Sequence, residues 1–196
     1  MERTLVLIKP DGVKRGLIGE IISRFERVGL KIVGLKMVWV SEELARKHYP
    51  VSRKAWLENI GTRVLKDYEE YGLDPHEHLD SLEPLEIGKK MAEWLVGFLT
   101  GGPVVAMVLE GYSAVKVVRK LVGHTFGEKA EPGSIRGDFQ SAPGYLGFKN
   151  TSAAKNLVHA SGSAEEAKFE EELWFRESEI HEYKRVDEEL MFGSLT

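Results

Sequence analysis

The order of its apolar segments restricts the fold of this chain more than any other feature. Residues 4–9, 30–40 and 103–110 are apolar runs of strand length, and residues 155–159 are predicted to form a short strand. Apolar residues at helical spacing lie between these runs. Two strand–helix–strand halves in this order predict an α/β (α+β) fold. It is the ferredoxin-like split βαβ sandwich, in which helices cover an antiparallel four-stranded sheet.

Residues with known preferences for helix ends mark the predicted helix boundaries. Ser41 and Ser113 are expected to cap helices, and Gly29 follows the end of another. Ser163 and Glu166 have the spacing of a capping box. On the strand of residues 30–40, alternate apolar side chains are expected to share one face; they are Val33, Leu35, Met37 and Trp39.

The middle of the chain is less regular. One helical stripe ends before Gly72, and a second begins at Pro84, with residues 73–83 expected as a loop. Residues 123–155 are rich in glycine and have few periodic apolar positions. A loop region of that length inside a compact domain is usually functional.

Size and composition exclude several classes of protein. The 196 residues predict a single domain over 1–196, and they contain no cysteine, which excludes disulfides, zinc–thiolate sites and thiol nucleophiles. A net charge of −4 argues against nucleic acid or an anionic membrane as the main partner. We find no targeting signal and no apolar run long enough to span a membrane, so we expect a cytoplasmic protein.

Five residues are the candidates for chemistry. His159 ends a strand just before a helix, where an imidazole near neutral pH can act as a nucleophile. Lys9 ends the first strand, and Arg119 and Arg136 are suited to phosphate oxygens. Glu170 lies two turns into the helix after His159. Taken singly, each is more often structural: a core histidine, a surface lysine or arginine, or a solvated carboxylate.

Other phosphate and metal motifs are missing or weak. Neither a Walker A sequence nor G-x-G-x-x-G occurs. His76 and His78 are a candidate metal pair, but they lie in a predicted loop with no third ligand nearby in sequence.

Several ordered motifs resemble those of nucleoside diphosphate kinases. They are residues 4–19 (TLVLIKPDGVKRGLIG), 31–37 (KIVGLKM), 102–111 (GPVVAMVLEG), 132–139 (PGSIRGDF) and 156–163 (NLVHASGS). The resemblance implies the same ferredoxin-like fold. It also implies ping-pong transfer of the terminal phosphoryl group from a nucleoside triphosphate, mainly ATP, to a diphosphate such as GDP.

The resemblance assigns roles to individual residues. It implies that His159 is phosphorylated, and that Ser161 and Glu170 orient it, with Glu170 near the attacking nitrogen. His159, Glu170 and Lys9 are the implied catalytic residues. Residues that match nucleotide contacts in the family are Lys9, Tyr49, Arg119, Thr125, Arg136 and Asn156. Counting back from Gly102 places Met91 at the position that stacks on the base, with Trp94 as its rival.

Cofactor and partners follow from the same resemblance. Mg²⁺ is expected on the nucleotide phosphates, with no protein side chain as a ligand. A homo-oligomer is expected, with a hexamer favoured over a tetramer or dimer. The alternative is a non-catalytic nucleotide-binding or regulatory module on the same fold, although the intact His159 and Lys9 argue against it.

The sequence also departs from the family pattern. Gly162 stands where the family has aspartate, and Ser134 where threonine is usual. Residues 51–90 and 140–154 are predicted to be insertions, the first of them helical. We weigh two roles for the first: a change at the nucleotide cleft, or a surface decoration.

Overall fold

The computed structural model describes residues 1–193. Its four-stranded sheet consists of β1 (Glu2–Ile8), β2 (Lys31–Trp39), β3 (Pro103–Gly111) and β4 (Val158–Ala160). The strand order is β2-β3-β1-β4, and every neighbouring pair is antiparallel. This topology, with helices packed on the sheet, confirms the predicted ferredoxin-like sandwich.

Helices of residues 1–193 fill the segments between and after the strands. In chain order they are α1 (Pro10–Lys14), α2 (Ile18–Arg27), α3 (Glu42–His48), α4 (Lys54–Glu70), α5 (Pro84–Thr100), α6 (Ala114–Val122), α7 (Ile135–Phe139), α8 (Tyr145–Lys149), α9 (Ala164–Trp174) and α10 (Glu188–Phe192). Single 3₁₀ turns occur at Pro75–Glu77, Gly127–Lys129 and Glu177–Glu179. No helix within residues 1–193 is long and apolar enough to cross a membrane.

The sheet separates two hydrophobic cores. Alternation along β1 sends Val6 and Ile8 into the core formed with α2 and α6. Leu5 and Leu7 point to the opposite face, where α3, α5 and α9 pack. Helices therefore lie over both faces of a sheet whose central strands are buried.

A third cluster lies beside the sheet, between α4, α5 and α8. Tyr68 of α4 stacks on Phe148 of α8 with ring centroids 4.7 Å apart, and Ile87 and Met91 of α5 are buried with them. The two segments predicted as insertions therefore share one core. Residues 145–149, expected as loop, form the short helix α8 because Phe148 is buried in this core.

Two predicted caps differ from the structure. Ser113 adopts φ 50° and its side chain makes no capping hydrogen bond, so this prediction is wrong. The carboxylate of Glu2 instead accepts from the Val115 N–H at 3.0 Å, at the start of α6. Ser163 caps α9 as predicted, but Glu166 accepts from the Gly162 N–H rather than completing the box at Ser163.

The outer strand β2 does not present one continuous apolar face. A β-bulge at Ile32–Gly34 adds a residue and breaks the expected alternation. Val33 is buried as a result, whereas Leu35, Met37 and Trp39 are exposed. The prediction that all four residues share one face is therefore wrong.

Candidate active site

His159 lies on β4, directly opposite Leu7 of β1. Its Nε2 is 2.8 Å and 3.0 Å from the two carboxylate oxygens of Glu170, and the Ser161 hydroxyl donates to Glu170 Oε2 at 2.6 Å. Ser161 and Glu170 are almost fully buried, so water does not compete for these bonds. The resemblance placed Glu170 near the attacking nitrogen. Here it binds Nε2, and Nδ1 is the nitrogen that no hydrogen bond within residues 1–193 engages.

The electrostatics of the site favour a neutral imidazole. Burial, together with the nearby Lys9 charge, holds the pKa of the His159 imidazole below its ordinary value. Burial raises the pKa of the Glu170 carboxyl, although His48 and Ser161 act against that rise. A neutral ring whose Nε2–H is donated to Glu170 carries its lone pair on Nδ1.

His48, at the end of α3, is a second buried imidazole at the site. Its ring meets the His159 ring edge-on with centroids 4.4 Å apart, and its Nδ1 accepts from Trp174 Nε1–H at 3.3 Å. Burial, then the neighbouring His159, keeps the pKa of His48 well below its usual value. Sequence reasoning missed this residue, whose only signal was its position next to Tyr49.

Lys9, Asn156 and Arg136 form a buried polar network next to His159. Lys9 Nζ donates to Asn156 Oδ1 at 2.8 Å, and Asn156 Nδ2 donates to the Thr125 carbonyl at 3.3 Å. The Arg136 guanidinium donates to the carbonyls of Asn156 and Val158, at 3.0 Å and 2.6 Å. One network thus links the end of β1, the start of β4, the loop around Thr125 and α7.

Burial of these cations is costly, and their pKa values reflect it. Burial and the neighbouring Arg136 lower the pKa of Lys9 to about 7. Burial and Arg119 lower the pKa of Arg136 to about 10. Negatively charged phosphates would relieve this repulsion, so the cluster is suited to an anionic ligand.

Arg119 and Thr125 lie at the exposed side of this cluster. A Cβ on Gly162 would lie 3.9 Å from Arg119 Nη1 and 2.6 Å from Glu166 Oε2. The Glu166 carboxylate therefore occupies the space next to residue 162, where the family has aspartate. Its hydrogen bond to the Gly162 N–H, 2.8 Å long, supports the chain before α9.

The residue before β4 is held in an uncommon conformation. Leu157 has φ 66°, in the left-handed region that leucine rarely adopts. Its N–H donates to Asp11 Oδ2 at 3.0 Å, and its carbonyl accepts from the Lys9 N–H at 2.8 Å. The turn after β1 therefore fixes the backbone between Asn156 and His159. Sequence reasoning did not single out Asp11 for this role.

The residues expected to contact the ribose and the base differ in their surroundings. Tyr49 is buried against His48, and their ring centroids are 4.8 Å apart. The ring centroids of Trp56 and Tyr49 are 6.4 Å apart. Met91 lies in the third cluster with only 7% of its surface exposed. That burial argues against Met91 as a base-stacking residue. Trp94 also packs against the third cluster, and the half-buried Trp56 is an aromatic residue that sequence reasoning did not connect with the site.

The potential metal ligands found within residues 1–193 are His48, His159 and Glu170, with ligand atoms within 4.8 Å of one another. Two imidazoles and one carboxylate are a poor match for Mg²⁺, which prefers oxygen ligands and retains water. These three residues therefore do not favour Mg²⁺ bound by protein side chains alone. The His76–His78 pair is not part of this group.

Comparisons with known proteins all indicate one family. The family model for nucleoside diphosphate kinase matches residues 2–59 and 77–180. A nucleoside diphosphate kinase of Pyrobaculum aerophilum is 48% identical over 93% of this chain and 99% of its own. A crystal structure of an NDP kinase from that organism superposes with a TM-score of 0.88, at 47% identity, covering 92% of this chain and 99% of its own.

A transition-state mimic of nucleoside-diphosphate kinase from Borrelia burgdorferi, with bound vanadate and ADP, has a TM-score of 0.77. It is 36% identical and covers 98% of both chains. Fold, family model and relatives agree, and the chain belongs to the nucleoside diphosphate kinase family.

Proposed function

We propose that this protein transfers the terminal phosphoryl group of a nucleoside triphosphate to a nucleoside diphosphate through a phosphohistidine at His159. One observation carries this proposal: Glu170 fixes a neutral imidazole at Nε2 beside buried cations, and no hydrogen bond within residues 1–193 engages Nδ1. A nucleophile and a phosphate-binding cluster thus share one site. The Pyrobaculum and Borrelia relatives carry the same family name.

The first half-reaction forms one bond and breaks another. The Nδ1 lone pair attacks the γ-phosphorus, and the bond from that phosphorus to the bridging oxygen breaks. The electron pair leaves with the nucleoside diphosphate. A second diphosphate then attacks phosphohistidine by the reverse path, which restores the neutral imidazole.

The surrounding residues have separate tasks in this reaction. Glu170 holds the Nε2 proton and stabilises positive charge that develops on the ring, while Ser161 fixes Glu170. Lys9, Arg119 and Arg136 offset charge on the transferred group and the leaving diphosphate. Asn156, Thr125 and Tyr49 are assigned to phosphate or ribose contacts. Mg²⁺ enters as part of the nucleotide substrate, where it neutralises phosphate charge.

Initial-rate kinetics with two substrates test the pathway. Plots of reciprocal rate against reciprocal ATP at several GDP concentrations should be parallel, as a ping-pong reaction requires. Intersecting lines would indicate direct transfer in a ternary complex and would exclude the phosphohistidine route. The variant His159→Gln should lose turnover but still bind ADP. A wild-type protein that binds ADP but shows no turnover would instead support the non-catalytic alternative.

We also infer that the protein assembles with copies of itself. Leu35, Met37 and Trp39 at the outer strand are 51%, 57% and 72% exposed, on the sheet edge where a second copy would cover them. A hexamer is the favoured assembly, ahead of a tetramer or dimer. We also propose that the protein is cytoplasmic, as expected from the sequence.

A further inference from the structure

The loop of residues 123–130 is held from the active-site side by two hydrogen bonds. Arg136 Nη1 donates to the Gly123 carbonyl at 3.0 Å, and Asn156 Nδ2 donates to the Thr125 carbonyl at 3.3 Å. Both donors belong to the network beside His159. The position of this loop therefore sets where Thr125 stands relative to the buried cations.

The same loop is held from the opposite side by the end of α4. The Tyr71 hydroxyl donates to the Glu128 carboxylate, which also accepts from the Gly144 N–H at 3.0 Å. Lys129 Nζ lies 2.6 Å from Glu70 Oε1 and 4.9 Å from the centre of the Tyr71 ring. Burial acts to raise the pKa of Glu128, but the Tyr71 bond and its other partners hold that pKa below the usual value. A charged carboxylate thus fixes the loop three residues after Thr125.

The third cluster gives Tyr71 a rigid support. A Cβ on Gly61 of α4 would lie 1.9 Å from the Pro84 carbonyl oxygen, and one on Gly88 of α5 would lie 2.0 Å from that of Leu57. The two helix backbones therefore touch at both glycines. Because α5 leads directly into the central strand β3, α4 is fixed to the sheet rather than attached only by loops.

The course of α4 connects the two sides of the cleft. Its 17 residues span about 25 Å at 1.5 Å per residue. Trp56 in its first turn faces Tyr49, and Tyr71 follows its last residue at the loop. The segment thus reaches from the side of the site near His48 to the phosphate side.

We propose that the third cluster is a brace for the phosphate-binding loop, and that Tyr71 is a positioning residue for nucleotide binding. This inference rests on the proposed function, because it takes the loop to bind phosphate. Of the two roles weighed for residues 51–90, it favours a role at the nucleotide cleft over that of a surface decoration. Without the Tyr71–Glu128 bond, the nucleotide must order the loop itself, which lowers affinity.

The variant Tyr71→Phe tests this inference, and Tyr68→Phe is its matched control. Both changes remove one hydroxyl from the same cluster, but the Tyr68 hydroxyl is buried with no hydrogen-bond partner within residues 1–193. We expect Tyr71→Phe to raise the Kd of ADP, measured by calorimetry, and the KM of ATP about threefold to tenfold, with kcat at saturation unchanged. Tyr68→Phe should leave the Kd within about twofold of the wild type.

A double-mutant cycle separates positioning from general loss of stability. Glu128→Ala should weaken ADP binding as Tyr71→Phe does. The double variant should bind ADP with the same affinity as Glu128→Ala alone. Glu128→Gln keeps an acceptor oxygen and should recover part of the affinity. Equal ADP affinity in Tyr71→Phe and Tyr68→Phe, or a lower Tm with unchanged Kd and KM, would overturn the inference. If the wild type never phosphorylates His159 the proposed function fails, yet the ADP affinities still decide whether the brace exists.

Discussion

At the scale of single residues, the site depends on groups whose pKa values are shifted by burial. Lys9 is the clearest case, because burial and Arg136 lower its pKa to about 7 while it donates to Asn156. The pKa values of His159 and His48 are also lowered, which favours the neutral form of both rings. The site therefore holds less positive charge than a count of its basic residues suggests, and a phosphate bound next to Lys9 would raise the pKa of Lys9 again.

We predict that nucleotide affinity falls as the pH rises above about 7. For a base with a lowered pKa, the protonated form prevails below that pKa, so above it ADP must bind together with one proton. The Kd of ADP should therefore rise between pH 7.5 and 9, with a slope that approaches about tenfold per pH unit. Calorimetry in two buffers of different ionisation enthalpy measures the proton uptake.

Lys9→Arg is the control, because arginine stays charged over this range. It should bind ADP with little dependence on pH and without proton uptake, whatever its absolute affinity. A wild-type Kd that is constant from pH 7.5 to 9 would contradict the shifted pKa.

At the scale of elements, short strands and helix ends determine which side chains meet. The strand before Lys9 was predictable, whereas the strand predicted over residues 155–159 is observed as Val158–Ala160. The pairing of β1 with β4 brings Lys9 and His159 together. The contact of His48 with His159 was not predictable, because it depends on how α3 packs on the sheet. The role of Glu2 at the start of α6 is also tertiary, since 113 positions separate donor and acceptor.

Two glycines of α5 allow a matched test of the packing of α4 on α5. A Cβ at Gly97 would meet nothing within 4 Å, whereas one at Gly88 would collide with the backbone of Leu57. Gly97→Ala should raise the free energy of unfolding by about 0.5–1 kcal/mol, through lower backbone entropy of the unfolded chain. Gly88→Ala should lower it by about 1–3 kcal/mol, since a backbone carbonyl cannot move aside cheaply.

Urea titration followed by circular dichroism gives both values. If the two alanines change the midpoint in the same direction, the helices do not touch at Gly88 as described.

At the scale of the whole molecule, a third hydrophobic cluster lies beside the sheet and the helices that cover it. The sheet and its helices follow the ferredoxin-like pattern that the order of strands and helices predicted. The third cluster could not be predicted, because α4 ends at Glu70 and α8 begins only at Tyr145, far along the chain, so their contact depends on tertiary packing against α5. Counting from Gly102 therefore assigned Met91 to stacking on the base, whereas the structure buries Met91 in this cluster.

The exposed side chains of β2 predict how the molecule assembles. Trp39→Glu should reduce the assembly to a smaller species, because a charge at a covered apolar edge is costly to bury. Leu82→Glu introduces the same charge at an exposed leucine in the loop before α5, outside the strands of the sheet, and should leave the mass unchanged. Light scattering after gel filtration reads both masses. A wild-type protein that is already monomeric, or a Trp39→Glu variant of full mass, would contradict assembly through this edge.

The proposed reaction requires that His159 carries the phosphoryl group between two nucleotides. Its most direct test is the intact mass of the protein after incubation with Mg·ATP and removal of nucleotide, followed by addition of GDP. We expect one phosphoryl group per chain, located at His159, which disappears as an equal amount of GTP forms. A folded protein that gains no phosphoryl group, or one whose phosphoryl group lies elsewhere or does not pass to GDP, would contradict the account.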